Sequence, residues 1–173
     1  MKITRFCAFF SLVLAPDIYS GGLALASTDF EQNKSIPSRF TCDGENTSPE
    51  LSWNAVPGAQ SYALIMHDPD APRQNGFTHW LIQNIPSTIT HLLSGINNKE
   101  KIGNTGIQLA NSSGKKGYMG PCPPSGTHRY YIKLYALDIP ELPLAENKAD
   151  LEGKIIGHVL ATSELMGTYK RKK

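Results

Sequence analysis

Two carboxylates and two histidines are the residues of this sequence best suited to chemistry. Asp68 and Asp70 lie in the stretch Asp-Pro-Asp-Ala-Pro, whose prolines restrict the backbone, and His79 follows seven residues after the second proline. His128 begins a later apolar stretch. Carboxylates with imidazoles can form a catalytic site, a metal site or a ligand pocket, and Asp-Pro-Asp is also a common turn. The stretch alone leaves these four interpretations open.

Two further loops are polar and unusually rich in glycine and proline. One covers residues 117–130 (GYMGPCPPSGTHRY) and the other begins at Cys42 with CDGENTSP. Glycine permits tight turns, and proline fixes φ. The first loop is therefore expected to hold the start of the next strand, with His128 and Tyr130, in a set position. The alternative is a rigid connection that binds no ligand.

Evidence for a conventional catalyst is weak. The sequence contains no Gly-x-Ser-x-Gly, no His-Glu-x-x-His and no glycine-rich phosphate loop before a helix. Ser48, Ser125 and Cys122 are potential nucleophiles, but their spacing supplies no base. The two aspartates and two histidines match no compact metal-binding spacing. We therefore predict no catalytic residue, no metal and no cofactor.

Length and charge limit the classes of function. At 173 residues, with 40% hydrophobic and 18% charged residues, the chain fits one globular domain. A formal charge of +2 without a basic stripe argues against nucleic-acid binding. The one basic run, residues 170–173, is expected to be a solvated tail.

The first 26 residues have the layout of a secretory signal peptide. Lys2 and Arg5 precede an apolar run at 6–15, which is too short to span a bilayer, and residues 24–26 (Ala-Leu-Ala) offer small cleavage positions. We predict cleavage after Ala26, a single mature domain at 27–173, and a periplasmic or secreted location.

Export changes the interpretation of the cysteines. Cys7 would leave with the signal peptide, and Cys42 and Cys122 would remain in an oxidising compartment. We predict a disulfide between these two. The alternative is a pair of free thiols.

The remaining pattern is that of strands and turns. Apolar runs at 62–66 and 79–82 end at turn residues, and residues 128–137 alternate between an apolar face and a face with Arg129 and Lys133. Several short strands between long loops favour a β-sandwich.

One helix is predicted, from Asp150 to Leu160. Leu151, Ile155 and Val159 have helical spacing, and Asn147 or Asp150 is the expected cap.

Taken together, these segments resemble the phosphatidylethanolamine-binding protein family, also called Raf kinase inhibitor proteins, and its short bacterial branch in particular. The matching stretches are DPDAP at 68–72, THW around His79, GPCPPSGTHRY at 120–130 and CDGENTSPELSW at 42–53. The resemblance covers residues 27–169.

The resemblance implies a mainly β fold, in which a large antiparallel sheet packs on a smaller one in a Greek-key-like sandwich, with a short helix near the C-terminus. It also implies one small anion-binding pocket and a cis Ala71–Pro72 bond. The pocket residues would be Asp68, Asp70, His79, Gly120, Pro121, His128 and Tyr130.

The residue types add a hypothesis about selectivity. His79, His128 and backbone groups near Gly120 are expected to donate N–H bonds. Asp68 is expected to orient a histidine and raise its pKa, because a nearby negative charge favours imidazolium. The pocket should then prefer a singly charged phosphomonoester, or an anion that brings its own proton or ammonium.

We therefore expect a protein that binds a small anion or a phospholipid head group such as phosphorylethanolamine. The alternatives are an inhibitor of a protease, kinase or host signalling protein, and a weak hydrolase using the Asp/His cluster. No lipidation signal or basic amphipathic helix is evident, no membrane span is expected after signal removal, and a homodimer is compatible with the sequence.

Overall fold

A computed structural model describes residues 22–96 and 102–171. Most of the predicted signal peptide, residues 1–21, and the last two residues of the basic tail lie outside the described residues, so these expectations stay predictions. The described residues 22–26 are integrated into the fold, because Leu23 and Leu25 are buried and Leu25 pairs with Trp53.

In the described residues, eight strands and one α-helix make up the regular structure, with a short 3₁₀ turn at Ser38–Phe40. In chain order they are β1 (Leu25–Ala26), β2 (Leu51–Trp53), β3 (Ser61–Asp68), β4 (Phe77–Pro86), β5 (His91–Leu92), β6 (Ile107–Gln108), β7 (His128–Leu137), α1 (Lys148–Ile155) and β8 (Val159–Tyr169).

The strands form two antiparallel sheets. The larger has the order β6-β4-β3-β7-β8, and the smaller has the order β1-β2-β5. The three long predicted strands are confirmed as β3, β4 and β7. In β7, His128 and Tyr130 are buried while Arg129 is exposed, as period-two alternation requires. The predicted mainly β architecture with a large sheet, a small sheet and a short helix is confirmed.

The central strand β3 is buried along nearly its whole length because both of its faces are covered. On one face, residues such as Tyr62 and Leu64 join the core with the small sheet. On the other, Ala63 and Ile65 pack with Leu151 of α1. Apolar packing on both faces fixes the position where β3 ends.

The predicted helix is present, but it begins at Lys148, two residues before the predicted start, and ends earlier than predicted. Asn147 caps α1 by accepting a hydrogen bond from the Asp150 backbone N–H (3.1 Å). The helix ends at Ile155, and Gly157, with a φ of 86°, turns the chain. Val159, assigned to the helix by its spacing, instead begins strand β8.

Within residues 22–96 and 102–171 there is no helix with the length and apolar character needed to cross a membrane.

Candidate functional site

The ends of three strands place the polar residues together. Because β3 runs antiparallel to both neighbours, its last residue, Asp68, lies at the edge where β4 and β7 begin. His79 is the third residue of β4, and His128 is the first residue of β7. All three side chains are buried. This geometry brings Asp68 of the DPDAP stretch and the two histidines to the same edge of the sheet.

Asp68 holds His128 in a fixed orientation. The imidazole Nδ1 of His128 lies 2.8 Å from Asp68 Oδ2, and both side chains are less than a tenth exposed. The other carboxylate oxygen, Oδ1, accepts the backbone N–H of Asp70 at 2.8 Å. Because the carboxylate is acceptor-only when ionised, Nδ1 of His128 is the donor, and Nε2 is left for another partner.

His79 is held by the neighbouring loop. Its Nδ1–H donates to the Met119 carbonyl at 2.6 Å, and the Met119 backbone N–H donates back to the His79 carbonyl at 3.0 Å. Burial lowers the pKa of His79 to about 4, although the Asp68 charge acts in the opposite direction. The ring is therefore neutral at pH 7, and its Nε2 is a hydrogen-bond acceptor.

This corrects one expectation for His79. Its one N–H is used by Met119, so the ring does not supply a donor to a ligand. The pKa of His79 is lowered because desolvation of the imidazolium outweighs the attraction of Asp68. The expected orientation of a histidine by Asp68 is found at His128.

Asp70 points to a different partner from Asp68. Its carboxylate accepts two bonds from the Arg129 guanidinium, at 2.7 and 2.9 Å, and one from the Arg129 backbone N–H at 2.9 Å. Hydrogen bonding to Arg129 lowers the pKa of Asp70 to about 2. Asp70 therefore braces the loop against β7 and does not line the cavity described below.

The turn between the aspartates and His79 is compact. The Arg73 backbone N–H donates to the Ala71 carbonyl at 2.7 Å across Pro72. No peptide bond of the described chain is cis, so the expectation for Ala71–Pro72 was wrong. Trans is the lower-energy isomer, and this three-residue turn closes with it. Gly76 has a φ of 65°, and a Cβ there would lie 2.3 Å from the Asp68 carbonyl oxygen, so the turn requires glycine at this position.

A disulfide joins the two glycine- and proline-rich loops. Cys42 and Cys122 are bonded, with their Cα atoms 5.4 Å apart, as predicted. The Cys42 backbone N–H also donates to the Pro121 carbonyl at 3.1 Å, and Gly120 N–H donates to Asn46 Oδ1 at 2.7 Å. The Gly120 N–H is thus used within the protein and does not supply the donor we expected for an anion.

Gly120 has a packing role instead. A Cβ at this position would lie 2.4 Å from the Phe40 carbonyl oxygen, so the two loops can approach only if the side chain is absent. The close approach places Met119 and Cys122 beside the histidines.

The C-terminal end of β8 is tied to the same loop. The carboxylate of Asp43 accepts hydrogen bonds from the Tyr169 hydroxyl at 2.8 Å and from Arg171 Nε at 2.9 Å. Arg171, in the basic tail, is therefore held by Asp43, while about half of its side chain stays exposed to solvent.

Tyr130 is buried and packs against His79. Its ring meets the His79 ring edge to face, with centroids 5.2 Å apart. Its buried hydroxyl makes no hydrogen bond to the described protein. Burial, and secondarily the charge of Asp68, raises the pKa of Tyr130.

Asp68, His79 and His128 line a cavity of about 170 Å³. Drug-sized ligands occupy pockets of roughly 300–1,000 Å³, so this cavity suits a smaller molecule. Its lining consists of Asp68, Ala71, Pro72, Arg73, Phe77, His79, Met119, Cys122, Pro123, Pro124 and His128.

Three of the seven predicted pocket residues, Asp68, His79 and His128, line the cavity. The other four, Asp70, Gly120, Pro121 and Tyr130, do not line it. Whether any of the seven binds a ligand stays a prediction. Sequence reasoning missed Arg73 and Phe77, although Arg73 directly follows the DPDAP stretch.

A larger cleft of about 670 Å³ lies on the side of β3 that α1 covers, around His67 and Lys148. Lys148 is paired with Glu152 at 2.8 Å, and the cleft contains a single histidine. Burial lowers the pKa of His67. Because its one cation is paired with Glu152, this cleft is a weaker candidate for an anion than the smaller cavity.

Among the residues that the structure describes, no group of three or more His, Cys, Asp or Glu side chains is arranged to hold a metal ion.

Comparisons with known proteins agree with this fold. A sequence profile described as phosphatidylethanolamine-binding protein matches residues 26–170. A UPF0098 protein of Methanothermobacter thermautotrophicus is 49% identical over 144 residues, which cover 82% of this chain and 95% of that protein. The UPF0098 protein YbcL of Escherichia coli is 38% identical over 145 residues, covering 78% of each chain.

Solved structures show the same similarity. The crystal structure of CT736 from Chlamydia trachomatis, described as a homologue of phosphatidylethanolamine-binding proteins, has a TM-score of 0.79 at 36% identity, covering 88% of this chain and all of that one. The structure of E. coli YbcL has a TM-score of 0.80 at 31% identity with the same coverage. The chain therefore belongs to the phosphatidylethanolamine-binding protein family.

Proposed function

We propose that this protein binds a small phosphate-bearing anion of the phosphorylethanolamine type in the cavity between Asp68, His79 and His128. The observation that carries the proposal is the convergence of two imidazoles, each anchored through Nδ1, on one small cavity. The name of the family, phosphatidylethanolamine-binding protein, supports a ligand with a phosphorylethanolamine group.

The anchoring determines what the ligand must bring. Neutral His79 offers an acceptor, and Asp68 is negative, so a fully ionised phosphate would meet two unfavourable groups. A phosphate that keeps one proton, or a head group with an ammonium, can donate to an acceptor. An anion beside His128 also favours its imidazolium form, whose Nε2–H can donate in return.

The composition of the cavity favours binding over hydrolysis. None of the residues that line it carries a hydroxyl group, and the sulfur of Cys122 is held in the disulfide. A hydrolase of the nucleophilic kind needs an activated hydroxyl or thiolate beside a base.

Isothermal titration calorimetry of the full chain tests this proposal. The ligands are phosphorylethanolamine, inorganic phosphate and a soluble short-chain phosphatidylethanolamine, measured between pH 5.5 and 8.5 in buffers of different ionisation enthalpy. We expect saturable binding, with proton uptake, that weakens as the phosphomonoester loses its last proton near pH 6. Affinity for phosphate that rises steadily above pH 7.5 would contradict the proposal, as would no binding at millimolar ligand.

For an Asp68→Asn variant in this assay, the matched control is Asp138→Asn. Asp138 also bonds a histidine Nδ1, that of His158, at 2.9 Å, but this pair is exposed and does not line the cavity. Its removal should leave binding unchanged.

A further inference from the structure

The charges around the cavity do not by themselves explain binding of an anion. Asp68 is a carboxylate, and His79 is held as a neutral acceptor. The cation of Arg129 is occupied by Asp70 and does not line the cavity. His128 is already bonded to Asp68. Beyond the Nε2–H of His128, a phosphate in this cavity would therefore gain from a further positive partner.

Arg73 alone among the described residues that line the cavity is a lysine or arginine. Its guanidinium carbon lies 5.0 Å from the centre of the Phe77 ring, in a cation–π arrangement. The Phe77 ring in turn lies 4.7 Å from the His79 ring. The three side chains thus lie in a row, from the solvent-exposed arginine to the buried histidine.

The orientation of Arg73 is set by the protein while donors remain. One guanidinium nitrogen, Nη1, donates to the Ser112 carbonyl at 3.2 Å. That bond uses one of five N–H donors. The backbone of Arg73 is fixed on both sides, because its N–H donates to Ala71 and its carbonyl accepts from Gly76. A guanidinium held this way is well suited to two hydrogen bonds with a phosphate.

We infer that Arg73 is a ligand-binding residue of this cavity, and that it contacts the oxyanion of a phosphate ester at the cavity mouth. This inference rests on the proposed function. The buried end of the cavity accepts protons through His79 and Asp68, and the exposed end supplies positive charge through Arg73. Such polarity orients a phosphate with its protonated oxygen inward and its charged oxygens toward Arg73.

The test compares Arg73→Gln and Arg73→Lys with the wild-type chain, using phosphorylethanolamine and inorganic phosphate as probes in calorimetry at low and high salt. We expect Arg73→Gln to lose about ten-fold in affinity for both, since hydrogen bonds between charged groups are the strong ones. Arg73→Lys, which keeps the charge but not the planar fork, should recover part of the loss at low salt.

Lys154→Gln is the control for a change of net charge. Lys154 pairs with Asp150 on α1 and does not line the cavity. If Arg73→Gln binds within two-fold of the wild type, the role of Arg73 is refuted while the cavity stands. If the wild-type chain binds neither probe, both the proposed function and this inference are wrong. Nitrogen–proton correlation spectra confirm that each variant is folded.

Discussion

Asp68 and His128 are 60 residues apart in the sequence, yet Oδ2 of one and Nδ1 of the other are 2.8 Å apart in the interior. The contact exists because β3 and β7 are antiparallel neighbours, so the end of one meets the start of the other. A buried ionisable pair requires its partners in fixed positions. The pair therefore links the architecture of the large sheet to the chemistry of the cavity.

Replacing Asp68 with Asn should change the pH dependence of binding. An Asn can still accept the Nδ1–H bond of His128, but it removes the negative charge that favours imidazolium and repels a doubly charged phosphate. We expect about ten-fold weaker binding of phosphorylethanolamine at pH 6 and a flatter decline above pH 7. Calorimetry at several pH values measures both. A pH profile identical to that of the wild type would show that Asp68 has no influence on ligand charge.

Stability should fall as the pH drops through the range where His79 titrates. The pKa of His79 is lowered from 6.5 to about 4, so between these values the unfolded chain binds a proton that the folded chain does not. The contribution of neutral His79 to the free energy of unfolding is fully present above pH 6.5 and is lost progressively toward pH 4. In total, this contribution is on the order of 3 kcal/mol.

The variant His79→Asn isolates this effect. Asn can retain a donor to the Met119 carbonyl but does not titrate. Thermal unfolding from pH 7 to pH 4.5 should show a smaller loss of stability in the variant than in the wild type. Parallel curves for the two proteins would mean that the folded and unfolded chains protonate His79 alike.

The disulfide should contribute substantially to stability. It closes a loop with a sequence separation of 80, and such a loop corresponds to about 4 kcal/mol in the chain-entropy model. Cys42→Ser/Cys122→Ser should therefore unfold at lower urea concentration. Reductant should lower the urea midpoint of the wild type toward that of the variant, and it should leave the midpoint of the variant unchanged. Equal midpoints for oxidised wild type and variant would contradict this role.

Residues 22–26 provide a fourth prediction, about the start of the mature chain. A chain starting at Ser27, as predicted from the cleavage pattern, lacks buried Leu23 and Leu25 and the pairing of β1 with β2. Each buried leucine is worth about 1.5–3 kcal/mol. We expect a chain starting at Gly22 to be about 3–6 kcal/mol more stable than one starting at Ser27 in urea unfolding. Equal stability would show that the fold does not need β1, which would favour cleavage after Ala26.

Much of the fold was predictable because its signals are local. Alternation in residues 128–137 identified β7, and turn residues delimited β3. Strand β8 was missed because Leu151, Ile155 and Val159 share helical spacing by coincidence. Gly157 turns the backbone between Ile155 and Val159, so the helix ends before the strand begins. Periodicity does not distinguish a short helix followed by a strand from one longer helix.

The site was predictable in its members but not in their roles. Asp68 and Asp70 are the same residue type two positions apart, and only tertiary structure directs one to His128 and the other to Arg129. Likewise, the sequence gives no sign that the Met119 carbonyl captures the donor of His79. Burial and distant partners decide protonation, and both are non-local.

The most direct test of the account is nitrogen-detected NMR of the histidine side chains in the full chain, during titration with phosphorylethanolamine at pH 6.5. Before ligand is added, His79 should give the signature of a neutral ring protonated at Nδ1. On addition, the Nε2 signals of His79 and His128 should shift together and saturate, and those of exposed His158 should not move. A His79 ring that is positively charged in the free protein, or cavity signals that stay unchanged at millimolar ligand, would contradict the central claim.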